Sequence, residues 1–172
     1  RHPFPGPGLA VRCLCSDGGT EEINEQNRRL TRDIASQFGL DGDILPVKSV
    51  GVQGDDRTYA HPAVVVGEAD WETLEKVSTA LTNGIRSVNR VVWLVSPTDI
   101  AATALVEILA LKARTLTRDR LDLLRIADDI AMRTIDEAGL MDMIFQFPTI
   151  LLPLASTSDG ESIVLRPLES TD

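Results

Sequence analysis

The residues of this chain able to do chemistry are few, and the most suggestive sit in one turn. Gln53-Gly54-Asp55-Asp56-Arg57 separates two runs rich in apolar and β-branched residues. A guanidinium presents a planar fork of donors that matches a phosphate, so Arg57 could hold one. Asp55 could accept from a sugar hydroxyl or orient the arginine. The same pair also suits a plain hairpin turn, with Asp55 capping the backbone and Arg57 facing solvent. Lys48 and Lys112 are further cations that could meet a phosphate, although Lys112 reads more simply as a solvated charge on a helix. His2 lies in a loop of alternating prolines and glycines, Arg1–Gly8, where holding the loop is the simpler role. His61, just before Pro62, has no evident partner. Cys13 and Cys15 are spaced to share one face of a strand. A zinc site needs about four ligands, and the two histidines are distant in sequence, so the cysteines read as small apolar residues in a reducing compartment. No metal ligand set and no catalytic group emerge.

The elements that must carry these residues follow from the hydrophobic pattern. Leu9–Leu14 alternates like a strand, and Asp17-Gly18-Gly19 is a turn. Thr20 with Glu21 and Glu22 predicts a helix start. Ile23, Leu30, Ile34 and Phe38 form the apolar stripe of that helix, and Gly39 is its left-handed stop. Ile44–Val52 and Arg57–Val66 read as the two arms of a hairpin. Asp70 caps a helix with Trp71, Leu74, Val77, Leu81 and Ile85 inward, and Val88–Val95 is a β-branched strand. Trp71 and Trp93 are expected in the core. Ile100–Ala113, nearly uncharged in its first half, predicts a buried helix. Thr117 caps a longer helix with the stripe Leu121, Leu124, Ala127, Ala131, Ile135 and Ala138, stopped by Gly139. Phe147–Leu154 and Ser162–Leu168 form a second hairpin. Ile44-Leu45-Pro46-Val47 and Leu151-Leu152-Pro153-Leu154 echo each other at the start of the two hairpins. The expected class is α+β, with antiparallel β-hairpins packed against helices in two related subdomains, the second incomplete. The expected segments are 1–16 (Pro/Gly loop and first strand), 17–97 (helix, hairpin, helix, strand) and 98–172 (a second such unit lacking its last helix and strand).

Composition bounds the rest. The chain has 172 residues, 43% hydrophobic and 25% charged, which is ordinary globular usage. Acids outnumber bases, 26 to 17, for a net charge of −9. That balance repels a phosphate backbone and argues against nucleic-acid binding, though not against one phosphate in a local pocket. No apolar run approaches the ~20 residues of a membrane helix, and no signal peptide is visible. A cytoplasmic home fits. The start Arg-His-Pro-Phe, without Met, suggests a piece of something longer.

Two stretches are more specific than any of these patterns. R-H-P-F-P-G-P-G-L-A-V-R (Arg1–Arg12) and L-P-V-K-S-V-G-V-Q-G-D-D-R-T-Y (Leu45–Tyr59) closely resemble the C-terminal dimerisation domain of glutamine-hydrolysing GMP synthase. V-N-R-V-V-W at Val88–Trp93, and E-A-G-L at Glu137–Leu140 followed by Gln146 and L-L-P, are similar to that family too. The layout looks like the longer form of the enzyme, with this domain doubled and the Lys-Pro-Pro-x-x-x-Glu-Trp-Glu tail missing. The resemblance implies a ligase. ATP adenylates the xanthine oxygen of xanthosine monophosphate, and ammonia from glutamine displaces AMP to give GMP. It also implies that Asp55, Arg57 and Gln146 contact xanthosine monophosphate, with Lys48 and His2 as possible further contacts. ATP and Mg2+ would belong to an ATP-pyrophosphatase domain, and glutamine hydrolysis to a glutaminase domain, both outside this sequence. It contains no Ser-Gly-Gly-x-Asp-Ser phosphate loop and no Cys/His/Glu glutaminase set. The implied role of this segment is to form a homodimer and complete the nucleotide pocket, and it is expected to be inactive alone. Two alternatives are a stand-alone interaction module without catalytic activity and an independent nucleotide-binding regulator.

Overall fold

The computed structural model describes residues 8–19, 23–53 and 56–168, with the backbone alone at 52, 53 and 56–58. The chain divides into two compact units, Thr20–Leu111 and the combination of Arg1–Gly19 with Lys112–Asp172. The class is α+β, as the sequence predicts.

The N-terminal piece of the split unit departs from the predicted strand. Leu9–Arg12 is a single 3-10 turn, closed by the Val11 N–H on the Gly8 carbonyl. Cys13 then makes one isolated parallel bridge with Leu151, and only Ser16–Asp17 (β1) is a strand. Alternation over six residues cannot separate a strand from a tight turn when few partners are available. The two cysteines therefore do not share a strand face: Cys13 is buried and Cys15 is exposed.

In the Thr20–Leu111 unit, helix α1 spans Glu25–Ser36 and is capped by the Asn24 side chain, which accepts from Gln26 N at 2.8 Å. The predicted start at Thr20 lies outside the described residues. The buried seam of α1 is Thr31 and Ala35, whereas Leu30 is exposed. The reason is a close approach to β2 (Asp41–Ile44): a Cβ on Gly42 would stand 2.8 Å from the Ala35 Cβ. Only small residues fit that seam. Gly39, at φ 73°, ends the helix, with the Leu40 N–H returning to the Ala35 carbonyl.

The predicted first arm of the hairpin is two strands. β2 is broken from β3 (Ser49–Gln53) around Pro46, which has no N–H to donate. Both pair antiparallel with the long strand β4 (Asp56–Val66), β2 against its second half and β3 against its first. Helix α2 (Trp71–Gly84) follows, its N-cap Asp70 accepting from Thr73 N at 2.8 Å. β5 (Val88–Trp93) then runs parallel to β4. The core is Ala35, Leu40, Ile44, Ala63, Val65, Val77, Leu81, Ile85 and Val88, apolar faces contributed by both helices and three strands. Trp71 is outside it: its side chain is exposed and Trp93 is only partly covered, against expectation. The predicted helix at 100–113 is just Ala102–Ile108 (α3), whose first N–H is accepted by Asp41 Oδ2 at 2.7 Å. Ala110–Leu111 (β6) follows it.

The split unit resumes with β7 (Ala113–Arg114), which pairs antiparallel with β1. Lys112 is thus not on a helix; its N–H donates to the Pro153 carbonyl at 2.8 Å, which draws the chain into an extended path. Helix α4 (Arg118–Glu137) is capped by Thr117 and stopped by Gly139 at φ 69°, both as predicted. Pro153 divides the last arm pair into β8 (Thr149–Leu152) and β9 (Leu154–Ala155), and β10 (Ser162–Leu165) returns antiparallel along β8. Cys13, Leu124 and Leu151 make the centre of this unit, with Leu9 and Leu121 packed around them.

Candidate functional site

The β3–β4 hairpin carries the residues that could meet a phosphate. Its register places Val52 opposite Arg57 and Gln53 opposite Asp56, so Arg57 is the second residue of β4. Asp55 and His2 lie outside the described residues. Lys48 is exposed and directly precedes β3, at the base of the hairpin, while Arg57 is near its tip. The hairpin therefore does not bring Lys48 beside Arg57: about four strand positions, roughly 13 Å, separate them.

What fixes the hairpin is a grip from β5. The Ser49 hydroxyl donates to Asn89 Oδ1 at 2.8 Å, and Asn89 Nδ2 donates back to the Ser49 carbonyl at 2.7 Å. One residue on, Arg90 donates to the Val50 carbonyl from Nε at 3.2 Å and from Nη2 at 2.7 Å. Gly51 completes the fit, because a Cβ there would stand 2.8 Å from both Asn89 Cβ and Nδ2. The polar pair Asn-Arg inside an otherwise apolar strand is a clamp on the backbone of β3. His61 has a partner after all: its Nδ1 lies 3.0 Å from the Leu45 carbonyl. Beside it, the Pro62 carbonyl accepts from Leu45 N at 3.0 Å. The break between β2 and β3 is thus tied to β4 through both backbone groups of Leu45, just before Pro46.

Buried charge rigidifies the same unit. Asp43 is 1% exposed and accepts from Arg28 at 2.9 Å, from Arg32 at 3.1 Å and from its neighbour's Ile44 N–H at 2.7 Å. Burial works against the Arg32 charge, but Asp43 and Glu25 outweigh it and raise the guanidinium pKa.

Gln146 belongs to the other unit. It exchanges two backbone hydrogen bonds with Leu168, at 3.2 and 2.8 Å, and is half-buried. In the same unit, Arg120 grips Glu161 in a two-point pair at 2.7 and 2.8 Å, with both side chains less than a tenth exposed. Its remaining donors go to the carbonyls of Thr115 and Leu14. The bonds to Glu161 raise the Arg120 pKa against the cost of burial. Cys13 is held in the thiol form, its pKa raised by burial. Among the described residues, no three His, Cys, Asp or Glu side chains stand where they could hold a metal ion. No described helix is long and apolar enough to cross a membrane.

Three residues central to this geometry were not singled out by sequence reasoning: Gly51, Asn89 and Arg90. The readable signal was the interruption of the apolar Val88–Trp93 run by two polar residues.

The fold is α+β with a clamped β3–β4 hairpin, and comparison with known proteins gives its family. The family described as "GMP synthase C terminal domain" matches residues 21–104, which include the hairpin and its clamp. The "Probable GMP synthase [glutamine-hydrolyzing]" of Leptospira interrogans is 40% identical over 173 residues, covering 100% of this chain and 28% of the relative. The "GMP synthase [glutamine-hydrolyzing]" of Prochlorococcus marinus is 46% identical over 114 residues, 54% of this chain and 21% of the relative. That of Corynebacterium ammoniagenes is 44% identical over 115 residues, 54% of this chain and 22% of the relative. The chain thus spans between a fifth and a third of the length of these relatives. It belongs to the GMP synthase C-terminal domain family.

Proposed function

We propose that this chain serves a glutamine-hydrolysing GMP synthase as the part that completes the xanthosine monophosphate pocket. The observation that carries the reading is the β3–β4 hairpin, held at its base by Asn89 and Arg90, with Arg57 the second residue of β4. A phosphate-binding arginine is useful only if its strand is fixed, because misplacement of the nucleotide costs far more rate than weak binding does. Arg57 neutralises and orients the nucleotide phosphate, Asp55 holds the sugar or the arginine, and Gln146 gives a further polar contact. Lys48 and His2 are secondary contacts. Bound this way, the xanthine oxygen is presented for adenylation by ATP, and ammonia then replaces AMP at the same carbon. ATP, with its Mg2+, and glutamine are handled by the ATP-pyrophosphatase and glutaminase parts of the longer enzyme. The working state is a cytoplasmic homodimer, and neither nucleic acid nor membrane is a partner.

The test is steady-state kinetics of the full-length enzyme carrying Arg57→Ala or Arg57→Lys. Arg57→Ala should raise KM for xanthosine monophosphate about tenfold or more, the effect of losing one charge-assisted pair. Arg57→Lys should recover part of it, with KM for ATP unchanged in both. An unchanged KM for xanthosine monophosphate in Arg57→Ala refutes the assignment.

A further inference from the structure

At the end of the Thr20–Leu111 sheet, two tryptophans stand together in the open. Trp71 begins α2 and is 74% exposed; Trp93 ends β5 and is 37% exposed. Their rings meet edge to face with centroids 6.2 Å apart. Trp93 is locked in place by its indole N–H, which donates to the Gly67 carbonyl at 2.9 Å. Val95, two residues further on, is 68% exposed. Indole pairs carry a large apolar payload, and leaving one in water wastes it. Exposed Trp of this kind is the residue type most enriched at binding hot spots.

The rim of this pair is acidic. Glu68, Asp70 and Glu72 are all exposed and flank Trp71 in sequence. Asp70 is firmly ionised, because the Thr73 hydroxyl and N–H both hydrogen-bond its carboxylate and lower its pKa. Lys76 offsets one charge by pairing with Glu72 at 2.7 Å, an exposed contact that exchanges easily with solvent or a competitor. The patch therefore combines π faces, which attract a cation, with a surplus of carboxylates, which attract the same cation. The same patch of a second copy is a poor occupant, since it would set Glu68, Asp70 and Glu72 against the same acids.

We propose that the Trp71–Trp93 pair and its acidic rim dock an arginine-bearing segment of a partner polypeptide other than this chain. A guanidinium stacks over the exposed indole while its edge donors reach Glu68 or Glu72, and aliphatic groups beside it cover Val95.

The two tryptophans are the only ones in the sequence, so their emission reports on the patch directly. The experiment titrates the chain with tetra-arginine amide at low ionic strength. Expected is a saturable emission change that weakens as salt shortens the Debye length. Trp71→Ala, read through Trp93, should weaken binding about two- to fivefold. Because Trp71 lies outside the core, this variant should keep the far-ultraviolet circular dichroism of the parent. Glu68→Gln with Glu72→Gln should weaken binding by a similar factor, independently of any change to the tryptophans. Glu137→Gln with Asp142→Asn removes equal charge in the other unit and should leave binding unchanged. Absence of a saturable change overturns the proposal. So does equal weakening by the two charge-removing pairs, which means diffuse attraction to an acidic protein. An emission change that depends on chain concentration without peptide also overturns it, since a second copy then covers the patch.

Discussion

The contact between Gly51 and Asn89 offers a quantitative test of how the hairpin is held. Gly51→Ala places a methyl 2.8 Å from the Asn89 Cβ and Nδ2, a distance no relaxed side chain tolerates. Gly51 is buried in β3 between the arms of the clamp, so the strain cannot vanish into solvent. Overpacking of this kind costs about 1–3 kcal/mol. Asn89→Gly removes two hydrogen bonds to Ser49, at 2.8 and 2.7 Å. Each is worth about 1 kcal/mol, and the new strand glycine adds roughly 0.5–1 kcal/mol. The double variant loses the clamp but no longer has a clash, so it should be more stable than the sum of the singles by about 1–2 kcal/mol. Asn89→Ala is the decisive comparison: it keeps the Cβ, so its coupling to Gly51→Ala should be clearly smaller than that of Asn89→Gly. Urea unfolding followed by tryptophan emission reads the right region, because Trp93 lies on β5 itself. Additivity within about 0.5 kcal/mol for the glycine pair would show that β3 is not seated on Asn89, and the clamp argument would fail.

Two other outcomes follow from the same structure. Cys15 is exposed and Cys13 is buried with a raised pKa, so iodoacetamide at mildly alkaline pH should label Cys15 alone in the folded chain and both residues in denaturant. Mass spectrometry showing Cys13 labelled at a comparable rate would contradict its place between Leu124 and Leu151. Asp70 has a folded pKa below its ordinary 3.8, so its contribution to α2 is complete above that value and is lost as pH falls through the folded pKa. Asp70→Asn should flatten the acid side of the stability profile, and an unchanged acid slope would remove Asp70 from the account of the cap.

Much of the fold was legible because its signals are local. Asp70 and Thr117 cap helices where the sequence places them, and Gly39 and Gly139 end helices by the same left-handed turn. Each of these decisions is made within four residues. The failures share the opposite character. Leu9–Arg12 coils because Gly8 and Ala10 carbonyls are available to it, which no alternation pattern reveals. Leu30 loses its place in the α1 seam to Thr31 because Gly42, eleven residues away, lets the backbone approach. Trp71 occupies a core position in the helical pattern, yet α2 starts there and its first residue overhangs the sheet. The hairpin motif could be read as a site; the clamp that positions it could not, since Asn89 and Ser49 are forty residues apart.

The distribution of arginines connects these long-range contacts to the acidic balance. Arg28 and Arg32 are committed to Asp43, Arg90 to the Val50 carbonyl, Arg12 to Asp128 and Arg120 to Glu161. In each unit an arginine thus fixes a hairpin: Arg90 holds β3, and Arg120 holds Glu161 immediately before β10. These arginines act as internal fasteners, and the net charge of −9 follows from 26 acids against 17 bases wherever they sit. A surface of that sign has no long-range attraction for a nucleotide phosphate. Any phosphate affinity must then come from close, well-oriented donors on a rigid support. This is why substitution of Arg57 should act on KM for the nucleotide, and why loosening the Asn89–Ser49 grip should reproduce part of that effect without touching the arginine.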